Sequence, residues 1–243
     1  VVIIMPLPTI STPTYELTLP SSNRKIKYRP FLVKEEKILI LAMESQDSKQ
    51  IARAVKDVIA KCILSKGIKV EKLATFDIEY LFLNIRGKSV GEQIEVMVTC
   101  PDDGKTQVPM SINIDDIKIQ KDKEHSTDIQ LDDQYTLRMK YPSLSEFIKT
   151  NFDNVNDMKV DDTFDLIAQC IDQVYTEEES WSHQECTKKE LNDFVESLNS
   201  NQFKMVETFF ETMPKLSHTI NVTNPNTKVD SEIKIEGLQS FFG

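Results

Sequence analysis

The spacing of apolar residues changes repeatedly along this chain, and that change limits the folds open to it. Apolar side chains recur at alternating positions on either side of the turn-forming residues 20–23, a pattern that is typical of a β-hairpin. The period then becomes that of an amphipathic helix over residues 34–44 and 47–66. With 243 residues the chain can bury a sizeable core. We therefore predict an α+β fold that begins with a β-hairpin.

The central part of the chain predicts further helices and a second hairpin. Gly67 can supply the left-handed residue that ends helix 47–66, and Cys62 lies on the apolar stripe of that helix, so we expect its thiol in the core. Another helix is predicted over residues 75–88. Strands at 93–100 and 107–114 flank the turn 101–104, and a further strand is predicted over 128–141.

The C-terminal part predicts an acidic, helical half that ends in a small β-hairpin. Helical stripes run over residues 164–175, 191–198 and 203–213, and the second begins with a capping box formed by Thr187 and Glu190. Strands are predicted at 218–222 and 231–235. We expect translation to begin at Met5, and we predict an N-terminal α+β domain over residues 5–142 and a mainly helical C-terminal domain over 143–243.

The two later hairpins resemble each other in sequence. Their turns begin with Cys100-Pro101 and Asn224-Pro225, and both turns lie where a zinc knuckle would place its thiolates. The likeness leaves open a structural repeat or a chance similarity of two turns. Because the first turn has one cysteine and the second has none, we expect no metal site there.

Net charge excludes one class of function and points to another. The formal net charge is −10, which argues against a protein that coats nucleic acid. Residues 153–199 contain 13 acidic and 3 basic side chains, so the whole excess lies in this segment. Such a concentration predicts a charged face that steers or discriminates a partner protein.

Candidate interface residues follow from charge and from the apolar end of the chain. Phe241 and Phe242 either dock on a partner or fill the core beneath helix 203–213, and the basic strand near residue 26 is either solvated or contacts an acidic partner. The full candidate set is Arg24, Lys25, Lys27, Asp161, Asp162, Glu177, Glu178, Glu179, Phe241 and Phe242.

The sequence lacks the signatures of the common enzyme and membrane classes. No glycine-rich phosphate loop is present, no apolar run approaches bilayer length, and none of the 3 histidines lies beside a serine or cysteine in a nucleophile elbow. The 4 widely spaced cysteines favour a reduced, cytoplasmic environment. We expect no catalytic residues, no cofactor, no direct nucleic-acid contact and no membrane contact.

Several segments resemble the baseplate hub and hub-assembly proteins of T-even-type contractile-tailed bacteriophages. The resemblance spans nearly the whole chain from Met5. The segments that carry it are residues 5–8, 28–37, 77–92 followed by Thr99-Cys100-Pro101, 209–216 and 236–242.

The resemblance implies a non-enzymatic structural role in the hub of the tail baseplate. The implied partners are other hub and wedge proteins, the implied location is the virion tail baseplate after assembly in the host cytoplasm, and several copies per virion are implied. Some members of the family carry paired cysteines in the hairpin turns, and this chain does not. One alternative is an assembly chaperone that leaves before the virion is complete. The weakest alternative is an enzyme that acts on the cell wall, for which no pair of carboxylates stands out.

Overall fold

The computed structural model describes residues 10–144 and 160–236, and in them it confirms the α+β class. Helices and small antiparallel sheets alternate along the chain. The helices are Val33–Glu44 (α1), Ser48–Cys62 (α2), Thr75–Val90 (α3), Val160–Gln169 (α4), Lys188–Ser197 (α5) and Ser200–Thr212 (α6). The strands are Tyr15–Thr18 (β1), Lys25–Tyr28 (β2), Gln93–Thr99 (β3), Gln107–Asn113 (β4), Lys118–Gln120 (β5), Asp128–Gln130 (β6), Thr136–Met139 (β7), Ile171–Tyr175 (β8), Ser180–Ser182 (β9), Lys215–Thr223 (β10) and Asp230–Glu236 (β11).

The predicted N-terminal hairpin is confirmed as the antiparallel pair β1–β2. Leu17 pairs with Ile26, and both side chains point into a cluster formed with α1, α2 and one face of α3. Cys62 is fully buried in this cluster, as predicted, and burial raises the pKa of its thiol to about 11. The thiol is therefore protonated at neutral pH and serves as packing.

Helix α2 ends at Cys62, four residues before the predicted end at Lys66. Ile63 has an extended backbone and forms a β-bridge with Tyr28, while the backbone N–H of Leu64 donates to the carbonyl of Lys27 at 2.8 Å. The chain leaves the helix because pairing with β2 satisfies the same backbone groups. Gly67 therefore does not cap the helix, although its φ of +74° gives a left-handed turn just beyond it.

The two later hairpins pack against each other. β3 pairs with β4, and β10 pairs with β11 on one side and with β5 on the other. Ile94 and Ile112 from the first hairpin share a buried cluster with Ile220 and Ile235 from the second. The likeness of their sequences thus corresponds to two antiparallel hairpins that bury the same kind of alternating face, which favours a structural repeat over chance.

A four-stranded antiparallel sheet, in the order β6-β7-β8-β9, packs with helices α4 to α6 around a third cluster. The helical stripe predicted through residues 164–175 is wrong beyond Gln169, because Ile171–Tyr175 is strand β8 and pairs with β7. The strand predicted over residues 128–141 is instead two strands joined by a loop. The capping box of α5 is confirmed, since Glu190 accepts from the Thr187 N–H at 2.7 Å and Thr187 Oγ1 accepts from the Glu190 N–H at 3.3 Å.

Strand pairing crosses the division predicted at residues 142 and 143. β7 precedes this position and pairs with β8 beyond it, and β5 pairs with β10 in the same way. Sheets therefore join the two halves, and the division into two domains stays a prediction from the sequence.

Candidate partner-binding site

The acidic run Glu177–Glu178–Glu179 forms the turn between β8 and β9. Thr176 closes this turn: its N–H donates to the Glu179 carbonyl at 2.8 Å, and its Oγ1 accepts from the N–H groups of Glu178 and Glu179 at 3.3 and 3.0 Å. The three side chains are exposed, and their carboxylates have no partner in the part of the chain that the structure describes. Local hydrogen bonds thus fix the turn while its negative charge stays available.

An exposed aromatic pair lies beside this acidic turn. Trp181 on β9 and Tyr135 in the β6–β7 loop are 40% and 39% exposed, and their ring centroids are 6.5 Å apart. Asp132 holds the loop by accepting from the N–H groups of Gln134 and Tyr135 at 2.9 and 2.7 Å. The two rings and the acidic turn line an open groove of about 510 Å³. We call this groove, with Tyr135, Glu177–Glu179 and Trp181, the acidic-aromatic groove.

On the opposite side of the same turn, the charge of Arg138 is engaged by neighbouring side chains. Arg138 donates to both carboxylate oxygens of Asp128 at 2.7 and 3.3 Å, and its guanidinium carbon lies 5.2 Å from the ring centroid of Tyr175. These contacts raise the pKa of Arg138 and engage its charge. Glu177–Glu179 also line an open pocket with Arg138 on this side of the turn, and among the described residues no hydrogen bond or ion pair joins Arg138 to them.

Other carboxylates of the acidic segment are used inside the fold. Hydrogen bonds lower the pKa of Asp165, mainly from Lys188, that of Glu185 from Ser182, and that of Glu190 from Thr187. The predicted acidic helical face is therefore wrong in its geometry: the segment alternates helix and strand, and the run Glu177–Glu179 lies on a β-turn.

The basic candidates lie on the N-terminal hairpin, whose apolar residues pack in a different hydrophobic cluster from those of the groove's sheet. Lys25 pairs with Glu16 at 3.5 Å, and Arg24 donates to the Lys66 carbonyl at 3.4 Å. Lys27 projects from the outer face of β2. Of these three cations, Lys25 is the one that forms an ion pair within the described residues.

The remaining candidates are only partly placed. Asp161 and Asp162 lie in the first turn of α4, and their side chains are outside the described part of the structure. Phe241 and Phe242 lie outside the described residues altogether, so both interpretations of these two rings stay predictions.

The turns of the two packed hairpins meet through hydrogen bonds. The fully buried Asn224 donates through Nδ2 to both carboxylate oxygens of Asp102 at 3.0 Å, and Thr227 Oγ1 donates to Asp102 at 2.5 Å. Asn226 Nδ2 donates to Thr106 Oγ1 at 3.0 Å. Within residues 10–144 and 160–236, no group of three or more His, Cys, Asp or Glu side chains could hold a metal ion. In this chain, hydrogen bonds join the two turns.

Replacing Asn224 by alanine should lower the free energy of unfolding by about 1–3 kcal/mol, because the Asp102 carboxylate and the backbone N–H of Asn226 lose the hydrogen bonds that the buried Asn224 side chain makes. Asn224→Asp should destabilise through a different cause, since it places a second carboxylate beside Asp102. Burial and like charge would raise the pKa of the new carboxyl, so the stability of this variant relative to wild type should fall as the pH rises through that pKa. Urea unfolding between pH 3 and pH 7 measures both effects.

The exposed Asn221→Ala on β10 is the matched control and should leave unfolding unchanged within about 0.5 kcal/mol. Equal stability of Asn224→Ala and Asn221→Ala would show that the contact between the turns contributes nothing.

Among the described helices, none combines the length and the apolar character that a bilayer crossing requires. No disulfide joins the four cysteines, and Cys62, Cys100 and Cys170 are buried while Cys186 is partly exposed. The three buried thiols therefore contribute to packing.

Sequence reasoning identified the acidic half of the groove and missed its aromatic half. Trp181 is the one tryptophan of the chain, and it follows the acidic run between Ser180 and Ser182. A large aromatic residue between two small polar ones was the available signal for an exposed ring.

Comparison with known proteins gives one match. No curated protein and no solved structure matches the chain. The family described as T4 bacteriophage base plate protein matches residues 12–243, which include the paired hairpins and the acidic-aromatic groove. This match covers nearly the entire sequence, and the chain therefore belongs to the T4 bacteriophage base plate protein family.

Proposed function

We propose that this chain is a structural subunit in the hub region of a contractile phage tail baseplate and that it acts through protein–protein contacts with hub and wedge proteins. Membership of the base plate family supports the baseplate role. The acidic-aromatic groove supports the mode of action, because exposed tryptophan and tyrosine beside unpaired charges are typical of protein interfaces. In this proposal the chain is made and assembled in the host cytoplasm and is present in several copies per virion.

The groove fits a partner segment that presents arginine or lysine. The carboxylates of Glu177–Glu179 would pair with the cation, and the faces of Trp181 and Tyr135 would contact it through their π electrons. An aromatic ring beside the cation also buries apolar area when the partner docks. Charge and ring surface together favour a basic protein segment over an acidic one.

We also propose that the chain is not an enzyme. Its conspicuous reactive groups in the described residues have structural roles: the Cys62 thiol is buried, and His125 lies between Thr212 Oγ1 at 2.9 Å and Tyr141 Oη at 3.0 Å. Burial lowers the pKa of His125, so its imidazole favours the neutral form in this packing. Clearing of peptidoglycan by the purified protein in a zymogram would contradict this part of the proposal.

Quantitative mass spectrometry of purified tails tests the structural role. We expect the chain in mature particles at a constant ratio to the tail-tube protein through successive purification steps. Presence in infected cells with absence from particles would instead identify an assembly chaperone that leaves the hub. The tube protein is the internal control, because its copy number per tail is independent of this chain's retention.

A further inference from the structure

Helix α1 carries an unusual concentration of exposed apolar side chains. Of the 13 large apolar residues exposed in the described part of the chain, 5 lie between Leu32 and Met43. Val33 is 80% exposed, Ile40 is 51% exposed and Leu41 is 55% exposed. Exposed apolar side chains concentrated on one helix are typical of an interaction surface.

Three of these apolar residues and two charged ones form one face of the helix. At 100° per residue, Val33, Lys37, Ile40, Leu41 and Glu44 fall within an arc of about 100°. The opposite face carries Glu35, Leu39 and Ala42, which are buried in the N-terminal cluster against α2. We call Val33, Lys37, Ile40, Leu41 and Glu44 the α1 stripe. The helix thus packs on one side and leaves an apolar stripe uncovered on the other.

The charges of the stripe are arranged symmetrically about its apolar centre. Lys37 and Glu44 each lie about 3.5 residues, or about 5 Å along the axis, from the midpoint between Ile40 and Leu41. Both side chains are exposed, and neither has a partner in the described part of the chain. Because the two charges are opposite, a two-fold rotation about that midpoint exchanges the position of a cation with that of an anion.

We propose that a second copy of this chain docks on the α1 stripe, with the two helices antiparallel about a two-fold axis between Ile40 and Leu41. In this arrangement Ile40 of one copy contacts Leu41 of the other, and Lys37 pairs with Glu44 twice. A parallel pairing would place Lys37 beside Lys37 and is disfavoured. The charge pattern of the stripe is therefore self-complementary only in the antiparallel sense.

The contact is small and the dimer is correspondingly weak. A 12-residue helix is about 18 Å long, so one helix pair buries less than a standard interface. Weak self-association suits a subunit that neighbours hold at high local concentration. The inference concerns two copies of the purified protein, so it does not depend on the proposed place in the baseplate.

Sedimentation equilibrium of the full chain and its charge variants tests the dimer. Wild type should dimerise reversibly, and Lys37→Glu and Glu44→Lys should each weaken dimerisation by about tenfold, because two ion pairs become like-charge contacts. The double variant Lys37→Glu/Glu44→Lys restores both pairs with reversed polarity and should dimerise as wild type does. An equimolar mixture of the two single variants should recover dimerisation as a heterodimer, since one copy is then acidic at both positions and the other is basic at both, so both contacts between them are complementary.

Circular dichroism provides the folding control, because the substituted side chains are exposed and should leave the melting temperature unchanged. A wild-type chain that stays monomeric at the highest soluble concentration would overturn the proposal. So would a dimer that the single variants leave intact, or a double variant that stays as weak as either single one.

Discussion

Replacing Arg29 by methionine should lower the free energy of unfolding by about 3–5 kcal/mol, because the change leaves the buried Glu35 carboxylate with only the exposed Lys34 ammonium, 3.7 Å away, as a cation. Glu35 is 1% exposed, and both of its carboxylate oxygens accept from the Arg29 guanidinium at 3.3 Å. The same carboxylate accepts from the Leu32 N–H at 2.7 Å and so supports the start of α1. Chemical denaturation at pH 7 measures the loss.

The pH dependence of this variant should have a defined sign. Burial alone would raise the pKa of Glu35, but hydrogen bonds from Arg29 and Leu32 and the charge of Arg29 outweigh it and hold the pKa below its usual range. In wild type, the resulting stability is present above the unfolded pKa of about 4.3 and is lost as the pH falls through the folded pKa. Without Arg29, burial should raise the pKa of Glu35. The difference in the free energy of unfolding between variant and wild type should therefore become smaller as the pH falls.

The double variant Arg29→Met/Glu35→Leu separates a lost ion pair from lost packing. It removes both charges while keeping apolar volume, and it should recover most of the stability that the single variant loses. Arg24→Met is the control for loss of a cation at an exposed site on the same hairpin and should change unfolding by less than about 0.5 kcal/mol. A double variant less stable than Arg29→Met would show that Glu35 does not need its cation.

Sequence periodicity predicted the elements whose pattern is local. The hairpin turn after β1, the asparagine-containing turn after β10 and the capping box of α5 depend on residues within about seven positions of each other. The predictions from periodicity were wrong where pairing with a distant strand determines the secondary structure. Ile171, Val174 and Tyr175 are spaced as on a helix, but the strand Thr136–Met139 supplies hydrogen-bond partners that make them β8.

The same distinction applies to the candidate site. Charge counting along the chain found Glu177–Glu179, because an acidic run is visible without knowing the fold. It could not place Tyr135 beside Trp181, since the two residues are 46 positions apart and meet only through the order β7-β8-β9. The hydrogen bond between Asp102 and Asn224 could not be predicted for the same reason, since these residues are 122 positions apart.

Trp181→Ala should weaken binding of this chain to its baseplate partner by about 30-fold, the effect expected when an aromatic anchor worth about 2 kcal/mol is removed. The ring is 40% exposed in the free chain and its centroid lies 6.5 Å from that of the half-exposed Tyr135, so its removal should cost little folding stability. The measurement adds purified protein to an extract of cells infected by a phage that lacks this chain. The concentration of added protein that gives half-maximal recovery of infectious particles should be about 30-fold higher for the variant than for wild type.

The triple variant Glu177→Gln/Glu178→Gln/Glu179→Gln should raise the same concentration by about fivefold at low salt, and by less as salt screens the exposed charges. A matched control, Glu207→Gln/Glu211→Gln/Glu232→Gln, makes the same change in net charge at exposed positions outside the groove. If only overall charge steers the chain to its partner, the two triple variants should behave alike. If the groove binds a basic segment, the control should match wild type, and the effects of Trp181→Ala and the groove triple should be non-additive, because ring and carboxylates would contact one cation.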